Sequence, residues 1–159
     1  MTITADLGGR VAIVTGASSG LGRHFCSVLS GNGAQVVAAA RRIDRLEHLV
    51  ADGAAARAVE CDVTNDGDVG ALVAAAVELG GPHIVVNAAG FGDEGDALEV
   101  SVDEFRRTLD VDLTATFAVS QAAAKEMGSG GAIINIASIL GLGASWPVKQ
   151  AAYCAAKGG

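Results

Sequence analysis

Two groups of residues, one near each end of the chain, have residue types and spacing that suit ligand binding or catalysis. Residues 15–22 read TGASSGLG, and such a glycine-rich turn is typical of a backbone that approaches a phosphate group. Near the other end, Tyr153 and Lys157 stand four residues apart, and both side chains are titratable. These residues therefore predict a bound phosphate-bearing cofactor and a proton donor.

The pair Tyr153 and Lys157 would share one face of a helix, because residues four apart lie above one another. A free tyrosine, with a pKa of about 10, is mostly protonated at neutral pH. A nearby ammonium group stabilises the phenolate, so Tyr153 could exchange a proton with a substrate oxygen while a cofactor exchanges a hydride. The alternative is an ordinary helix surface, since this spacing is frequent by chance.

The glycine-rich turn lies between an apolar run and a helical pattern. Gly16, Gly20 and Gly22 allow unusual φ angles, and the missing Cβ atoms let the backbone approach a pyrophosphate. The helix N-terminus offers unpaired N–H groups, and Ser18 and Ser19 offer hydroxyl groups. The spacing G-x-x-x-G-x-G differs from the G-x-G-x-x-G dinucleotide pattern. A plain connection in any doubly wound protein stays an alternative.

The end of the second predicted strand indicates which cofactor is bound. An acidic residue there would bind the ribose 2′-hydroxyl of NAD, but this strand is followed by Arg41 and Arg42. Two arginines suit a 2′-phosphate, so the sequence favours NADP(H) and leaves NAD possible. The alternative is a solvated basic start to the next helix.

Strand and helix patterns alternate along the chain. The capping-box sequence Ser101-Val102-Asp103-Glu104 opens a long predicted helix that extends toward residue 127, and a last helix begins near residue 150. The alternation predicts an α/β fold, a doubly wound parallel sheet of the Rossmann type with helices on both faces. The predicted strands are residues 10–15, 35–40, 57–61, 84–86 and 132–137.

Composition restricts the possible partners and location. The chain of 159 residues is the size of one domain, and a net charge of −7 argues against nucleic acid and anionic membrane surfaces. Neither a secretory signal nor a membrane-spanning apolar run is visible. Cys26, Cys61 and Cys154 are too far apart for a disulfide framework or a zinc pattern, which favours the cytoplasm. We expect no metal site.

Taken in order, the motifs resemble those of the short-chain dehydrogenase/reductase family. Residues 15–22 match its T-G-x-x-x-G-x-G turn, and residues 87–90, NAAG, resemble its Asn-Asn-Ala-Gly segment with one Asn replaced. Asp62 and Ser138 fall where the family has an adenine-contacting acid and a catalytic serine, and Tyr153 with Lys157 matches Tyr-x-x-x-Lys. The resemblance covers essentially the whole chain.

The resemblance implies a role for each matching residue. Ser138 would orient the substrate oxygen, Tyr153 would be the general acid/base, and Lys157 would bind the nicotinamide ribose and favour the phenolate. The pyrophosphate would be lined by Gly16, Ser18, Gly20 and Leu21, and the adenine and ribose would be contacted by Asp62, Val63, Asn87, Ala88, Ala89 and Gly90. The implied reaction interconverts an alcohol and a carbonyl.

One residue departs from the family pattern. The chain reads Val111-Asp112-Leu113 where the family has Val-Asn-Leu, and that Asn supports a water relay to the lysine. An Asp keeps the acceptor oxygens but loses the amide donor. We therefore expect a weakened relay at Asp112 and intact cofactor binding.

The family continues past the position where this chain stops. We expect residues 1–159 to form one incomplete NAD(P)-binding domain that lacks the C-terminal strands and leaves the fifth strand as an exposed edge. Such a chain would have little dehydrogenase activity, and a non-catalytic dinucleotide-binding fragment is the alternative. The substrate stays open between a 3-oxoacyl group and another ketone or sugar alcohol, and residues 140–150 are either a pocket wall or a surface loop. We expect the complete protein to be a homo-oligomer.

Overall fold

The computed structural model describes residues 5–92, 95–143 and 149–159. A parallel sheet runs through it in the order β3-β2-β1-β4-β5, which confirms the predicted doubly wound, Rossmann-type α/β fold. Its five strands are β1 (Val11–Thr15), β2 (Gln35–Ala40), β3 (Arg57–Glu60), β4 (Ile84–Asn87) and β5 (Ala132–Asn135).

In the described part of the chain, six α-helices connect and cover these strands. They are α1 (Gly20–Gly31), α2 (Ile43–Ala51), α3 (Asp66–Val77), α4 (Val102–Leu109), α5 (Ala115–Glu126) and α6 (Ala151–Gly158). Within the described ranges, every helix is too short or too polar to span a lipid bilayer.

The core lies on both faces of β1, whose five residues are all buried. Val11 and Ile13 face the layer that contains α3 and α5, whereas Ala12 and Val14 face the layer that contains α1 and α2. Successive residues of a strand point to opposite faces, so an uninterrupted apolar run is what a strand covered on both sides requires. The central position of β1 follows from this pattern.

Two strands end earlier than the sequence predicts. β3 stops at Glu60 and β5 at Asn135, whereas the hydrophobic patterns extended them to residues 61 and 137. Both strands end early because the neighbouring strands, β2 and β4, themselves end at the paired residues Ala40 and Asn87. Beyond these pairs a single backbone bond continues each ladder, and the chain then turns into the site.

The long helix predicted from Ser101 begins as expected but is not regular. The Ser101 hydroxyl accepts from the Glu104 N–H, and the Glu104 carboxylate accepts from the Ser101 N–H, which is the predicted capping box. A π-helical segment, Asp110–Thr114, then separates α4 from α5. One wide turn changes the direction in which the following side chains point. Asp112 lies in this segment, where it is buried and lines the site. The sequence alone predicts a regular helix at this position.

Candidate active site

A cleft with a volume of about 1510 Å³ opens at the carboxyl edge of the sheet, where ligands of doubly wound proteins bind. Both groups of predicted residues line it, although they lie at opposite ends of the chain. The lining includes every predicted site residue except Asn87, namely Gly16, Ser18, Ser19, Gly20, Leu21, Gly22, Arg41, Arg42, Asp62, Val63, Ala88, Ala89, Gly90, Asp112, Ser138, Tyr153 and Lys157. We call residues 15–22, 41–42 and 62–63 the cofactor end, and Asp112, Ser138, Tyr153 and Lys157 the chemical end.

The glycine turn is packed too closely for side chains. Gly16 has φ +66°, and a Cβ there would lie 2.6 Å from the Ala88 carbonyl oxygen. A Cβ on Gly22 would overlap the Gly16 carbonyl, so α1 starts in direct contact with the end of β1. Ser19 precedes α1, but its side chain does not cap the helix. The first residues of α1 line the cleft, so the positive end of the helix dipole lies at its wall.

Thr15 joins the turn to the end of β4. Its hydroxyl oxygen accepts hydrogen bonds from the backbone N–H groups of Ala88 and Ala89, each at 3.1 Å. Thr15 is 1% exposed, so these two hydrogen bonds are shielded from water. The sequence alone indicates no role for Thr15 beyond its place as the first residue of the matched turn.

Asn87 ends β4 and is not among the residues that line the cleft, so the cofactor contact that the resemblance implied stays a prediction. Its side-chain amide donates to the Ser120 hydroxyl at 2.8 Å and to the Asn135 side-chain oxygen at 2.9 Å. These bonds tie β4 to α5 and β5. The residue is 4% exposed, because the end of β4 is covered on both faces before the chain reaches the cleft.

The two arginines after β2 form a basic wall beside the glycine turn. One terminal nitrogen of Arg42 donates to the Ser18 and Ser19 hydroxyls at 2.8 and 3.0 Å. Arg41 is exposed, and its charge is one cause of the lowered pKa of Asp62. Both arginines are exposed and line the cleft, and Arg42 is in addition bonded to the turn.

Asp62 follows β3 and is held by its own loop. Its Oδ1 accepts from the Thr64 hydroxyl at 2.7 Å and from the Thr64 backbone N–H at 3.0 Å. These hydrogen bonds favour the carboxylate and are the main reason that the pKa of Asp62 is lowered. Val63 next to it is buried against the core.

The chemical end depends on a close contact between α6 and the loop after β5. Tyr153 and Lys157 share a face of α6, and the Lys157 ammonium nitrogen lies 5.7 Å from the centroid of the Tyr153 ring. That ammonium donates to the Ile136 carbonyl at 3.0 Å. The Ser138 hydroxyl accepts from the Leu140 N–H at 3.2 Å and so begins the short 3₁₀ turn Ile139–Gly141. A Cβ on Gly141 would overlap the Lys157 carbonyl oxygen.

Asp112 adds a buried carboxylate to this end of the cleft. Its Oδ1 accepts from the Phe91 backbone N–H at 2.9 Å, and its Oδ2 lies 3.6 Å from the Lys157 ammonium nitrogen. Burial raises the pKa of Asp112, while the Phe91 N–H and the Lys157 charge act in the opposite direction. The effect of burial is the largest of the three.

Some site residues carried no signal in the sequence. Ile136 contributes a backbone carbonyl, and Phe91 contributes a backbone N–H and a ring that lies 5.4 Å beneath the Arg107 guanidinium. Within the predicted wall of residues 140–150, Leu140 and Gln150 line the cleft. Residues 144–148, which include Trp146 and Pro147, lie outside the described residues.

The chain is similar in sequence to known proteins. The chain is 38% identical to a D-threitol dehydrogenase of Mycolicibacterium smegmatis, covering 96% of the chain and 61% of the relative. It is also 38% identical to a trans-4-hydroxycyclohexanecarboxylate dehydrogenase of Sinomonas cyclohexanicum, covering 94% and 62%. The chain thus spans about three fifths of the length of these relatives.

Several solved structures are also similar to this chain. A short-chain type dehydrogenase/reductase from Mycobacterium marinum superposes with a TM-score of 0.91 at 37% identity, over 96% of this chain and 65% of that one. A short chain dehydrogenase from Burkholderia cenocepacia, solved in complex with NADP, gives 0.90 at 31% identity, over 97% and 65%. The family model described as short chain dehydrogenase matches residues 10–159. The chain therefore belongs to the short-chain dehydrogenase family.

Proposed function

We propose that the whole protein interconverts a small secondary alcohol and the corresponding carbonyl compound with NADP(H). The observation that carries this proposal is that one cleft contains both the glycine turn and the Tyr153–Lys157 pair. The first is suited to hold a dinucleotide, and the second is suited to transfer a proton. The activity is assigned to the whole protein, because the chain covers about three fifths of its relatives' length.

The cofactor end fits a dinucleotide in size and chemistry. The cleft exceeds the roughly 300–1,000 Å³ typical of small-molecule pockets. Gly20 has open space at its Cβ position, and the first turn of α1 lines the cleft, which suits a pyrophosphate. Residues 88–90 and Asp62 would lie beside the adenine and its ribose.

The basic wall supports NADP(H) over NAD(H). The end of β2 presents Arg41 and Arg42 instead of the carboxylate that would bind a ribose 2′-hydroxyl. Ser18 and Ser19 hold Arg42 in place, so its guanidinium is oriented before a cofactor arrives. The NADP complex of the Burkholderia cenocepacia protein supports the same preference.

The chemical end would supply the proton. The nicotinamide group, when bound, provides or accepts the hydride. In the reducing direction, the Tyr153 hydroxyl donates its proton to the substrate oxygen. The Ser138 hydroxyl oxygen already accepts from the Leu140 N–H, so its hydrogen remains to donate to that same oxygen. The Lys157 ammonium stabilises the Tyr153 phenolate that remains.

The relatives also inform the choice of substrate. The two named above act, by their names, on a sugar alcohol and on a cyclic hydroxy acid. Both are small hydroxylated compounds, which supports a small alcohol or ketone over a long 3-oxoacyl group. The expected homo-oligomer and the cytoplasmic location stay predictions.

Binding and turnover together test the proposal. Calorimetry on the chain should give tighter binding of NADPH than of NADH, and the whole protein should reduce a member of a panel of small ketones with NADPH. Absence of binding by either cofactor would contradict the proposal. Cofactor binding without turnover on any ketone or alcohol would instead favour a non-catalytic dinucleotide-binding protein.

A further inference from the structure

The Asp112 carboxylate lies between two hydrogen-bond donors. The Phe91 backbone N–H faces Oδ1 at 2.9 Å, and the Lys157 ammonium faces Oδ2 at 3.6 Å. The Asp112 side chain is fully buried and that of Lys157 is 11% exposed. Within the described residues, Oδ2 accepts no hydrogen bond. This oxygen is therefore directed at the ammonium and at no other donor in the described part of the chain.

A carboxylate matches this pair of donors better than an amide does. An asparagine side chain has one oxygen and one NH₂ group, so one of the two donors would meet another donor. Gly90 packs directly against the carboxylate, since a Cβ on Gly90 would lie 3.0 Å from Oδ2. The buried side chain therefore has little space in which to turn away.

The ammonium of Lys157 also donates a hydrogen bond to the Ile136 carbonyl at 3.0 Å. We propose that Asp112 is a positioning residue whose carboxylate pairs directly with the Lys157 ammonium and fixes it beside Tyr153. The proposal rests on the proposed function, because Lys157 and Tyr153 have their roles through it. It replaces the weakened relay that the sequence predicts with a direct ion pair.

The pair would respond to pH. The ionisable groups that line this part of the cleft with Asp112 are Lys157 and Tyr153 on α6, Asp110 on its own segment, and Asp103, Arg106 and Arg107 on α4. Of these, Lys157 is the one whose charge lowers the pKa of Asp112, against the larger effect of burial. The net pKa is raised, so the attraction is lost as the pH falls through a value above the usual range of an aspartate.

Side-chain NMR of lysine-labelled, cofactor-free protein tests the pair directly. The ε-methylene protons of Lys157 should be non-equivalent when its ammonium is fixed, and averaged in Asp112→Asn. Asp44→Asn is the matched control, because it removes an exposed carboxylate on α2, outside the cleft, and should leave the signal unchanged. Equal spectra for the wild type and Asp112→Asn would overturn the proposal.

A second variant keeps the test valid if Asp112→Asn does not fold. In Lys157→Met the carboxyl carbon of Asp112 should titrate at higher pH than in the wild type, because the compensating charge is gone. Titration at an unchanged pH would show that the two groups do not interact.

Cofactor binding separates this proposal from the proposed function. NADPH should bind Asp112→Asn roughly two- to tenfold more weakly, since Lys157 must then be ordered on binding. Unchanged NADPH affinity in this variant would count against the positioning role. If NADPH does not bind the wild type at all, the proposed function fails, while the spectra of the free protein still decide on the ion pair.

Discussion

The cofactor end and the chemical end are built in different ways. The glycine turn follows β1, the central strand, in which all five residues are buried. Ser138 follows β5, whose four residues are exposed in this chain, which spans about three fifths of its relatives' length. One end of the site is thus anchored in the core, whereas the other is held by the short helix α6 against a loop.

The two ends also differ in the kind of contact that holds them in place. At the cofactor end, close backbone packing at Gly16 and Gly22 and the Thr15 hydroxyl fix the turn. At the chemical end, the geometry depends on polar contacts between the loop after β4, the π-helical segment, the loop after β5 and α6. A site assembled from four separate segments should lose its geometry with smaller disturbances than a turn next to the core.

Tyr153→Phe should separate the two ends most sharply. The proton donor is lost while the cleft keeps its shape, so turnover of the whole protein should fall by about 10²–10⁴-fold. NADPH affinity should stay within a few-fold, as measured by calorimetry. Lys157→Ala is the comparison, and it should reduce both turnover and affinity. A Phe variant with most of its activity would make Tyr153 a packing residue.

Gly16→Ala should disturb the cofactor end. The new Cβ would meet the Ala88 carbonyl, and the backbone has φ +66°. Overpacking and strain together should lower the free energy of unfolding by about 2–5 kcal/mol. Urea unfolding measures this loss. Gly31→Ala, at the other end of α1, is the matched control, because open space surrounds its Cβ position. Equal losses for both variants would contradict the close packing at Gly16.

Gly141→Ala should disturb the chemical end alone. Its Cβ would overlap the Lys157 carbonyl and push α6 away from the 3₁₀ turn, at a cost of about 1–3 kcal/mol. Hydrogen exchange should then rise in α6 and stay unchanged in α1. Gly143→Ala has open space around its Cβ position and should leave both helices unaffected. Faster exchange in α1 as well would show that the two ends are coupled more tightly than their contacts indicate.

Local sequence patterns predicted most of the cofactor end. The position of the glycine turn, the strand alternation and the arginines after β2 follow from residues that are adjacent in the chain. The same holds for the Tyr153–Lys157 pair, which needs only helical spacing.

The remaining features depend on contacts between distant segments, which spacing does not encode. The Ile136 carbonyl that accepts from Lys157 belongs to the backbone, so no residue type announces it. The π-helical segment packs against α6, and Asp112 within it accepts a hydrogen bond from the loop after β4. Asn87 has the residue type expected of a cofactor contact, but its amide is used to join β4 to α5 and β5.

Arg41→Ala tests the selectivity of the cofactor end. One charge-assisted contact to a phosphate contributes about 1.5–3 kcal/mol, so NADPH should bind roughly tenfold more weakly or worse. NADH binding should be nearly unchanged, because NADH has no 2′-phosphate. Arg42→Ala should differ by also releasing Ser18 and Ser19 and so weakening both cofactors. An equal loss of both cofactors in Arg41→Ala would remove its phosphate role.

The smallest expected effect concerns two carboxylates with opposite pKa shifts. Hydrogen bonds from Thr64 lower the pKa of Asp62, so its ionised form stabilises the fold above the unfolded pKa of about 3.9, and this contribution is lost as the pH falls. Burial raises the pKa of Asp112, so the unfolded chain loses that proton first, and stability decreases as the pH rises from about 4 to the folded value.

Urea unfolding between about pH 3 and pH 7 should therefore give slopes of opposite sign. The stability of the wild type relative to Asp62→Asn should increase with pH, by less than about 1 kcal/mol because water screens a partly exposed group. The stability relative to Asp112→Asn should decrease over the same range. Slopes of the same sign would mean that burial does not dominate at Asp112, and the chemical end would then resemble the cofactor end in its electrostatics.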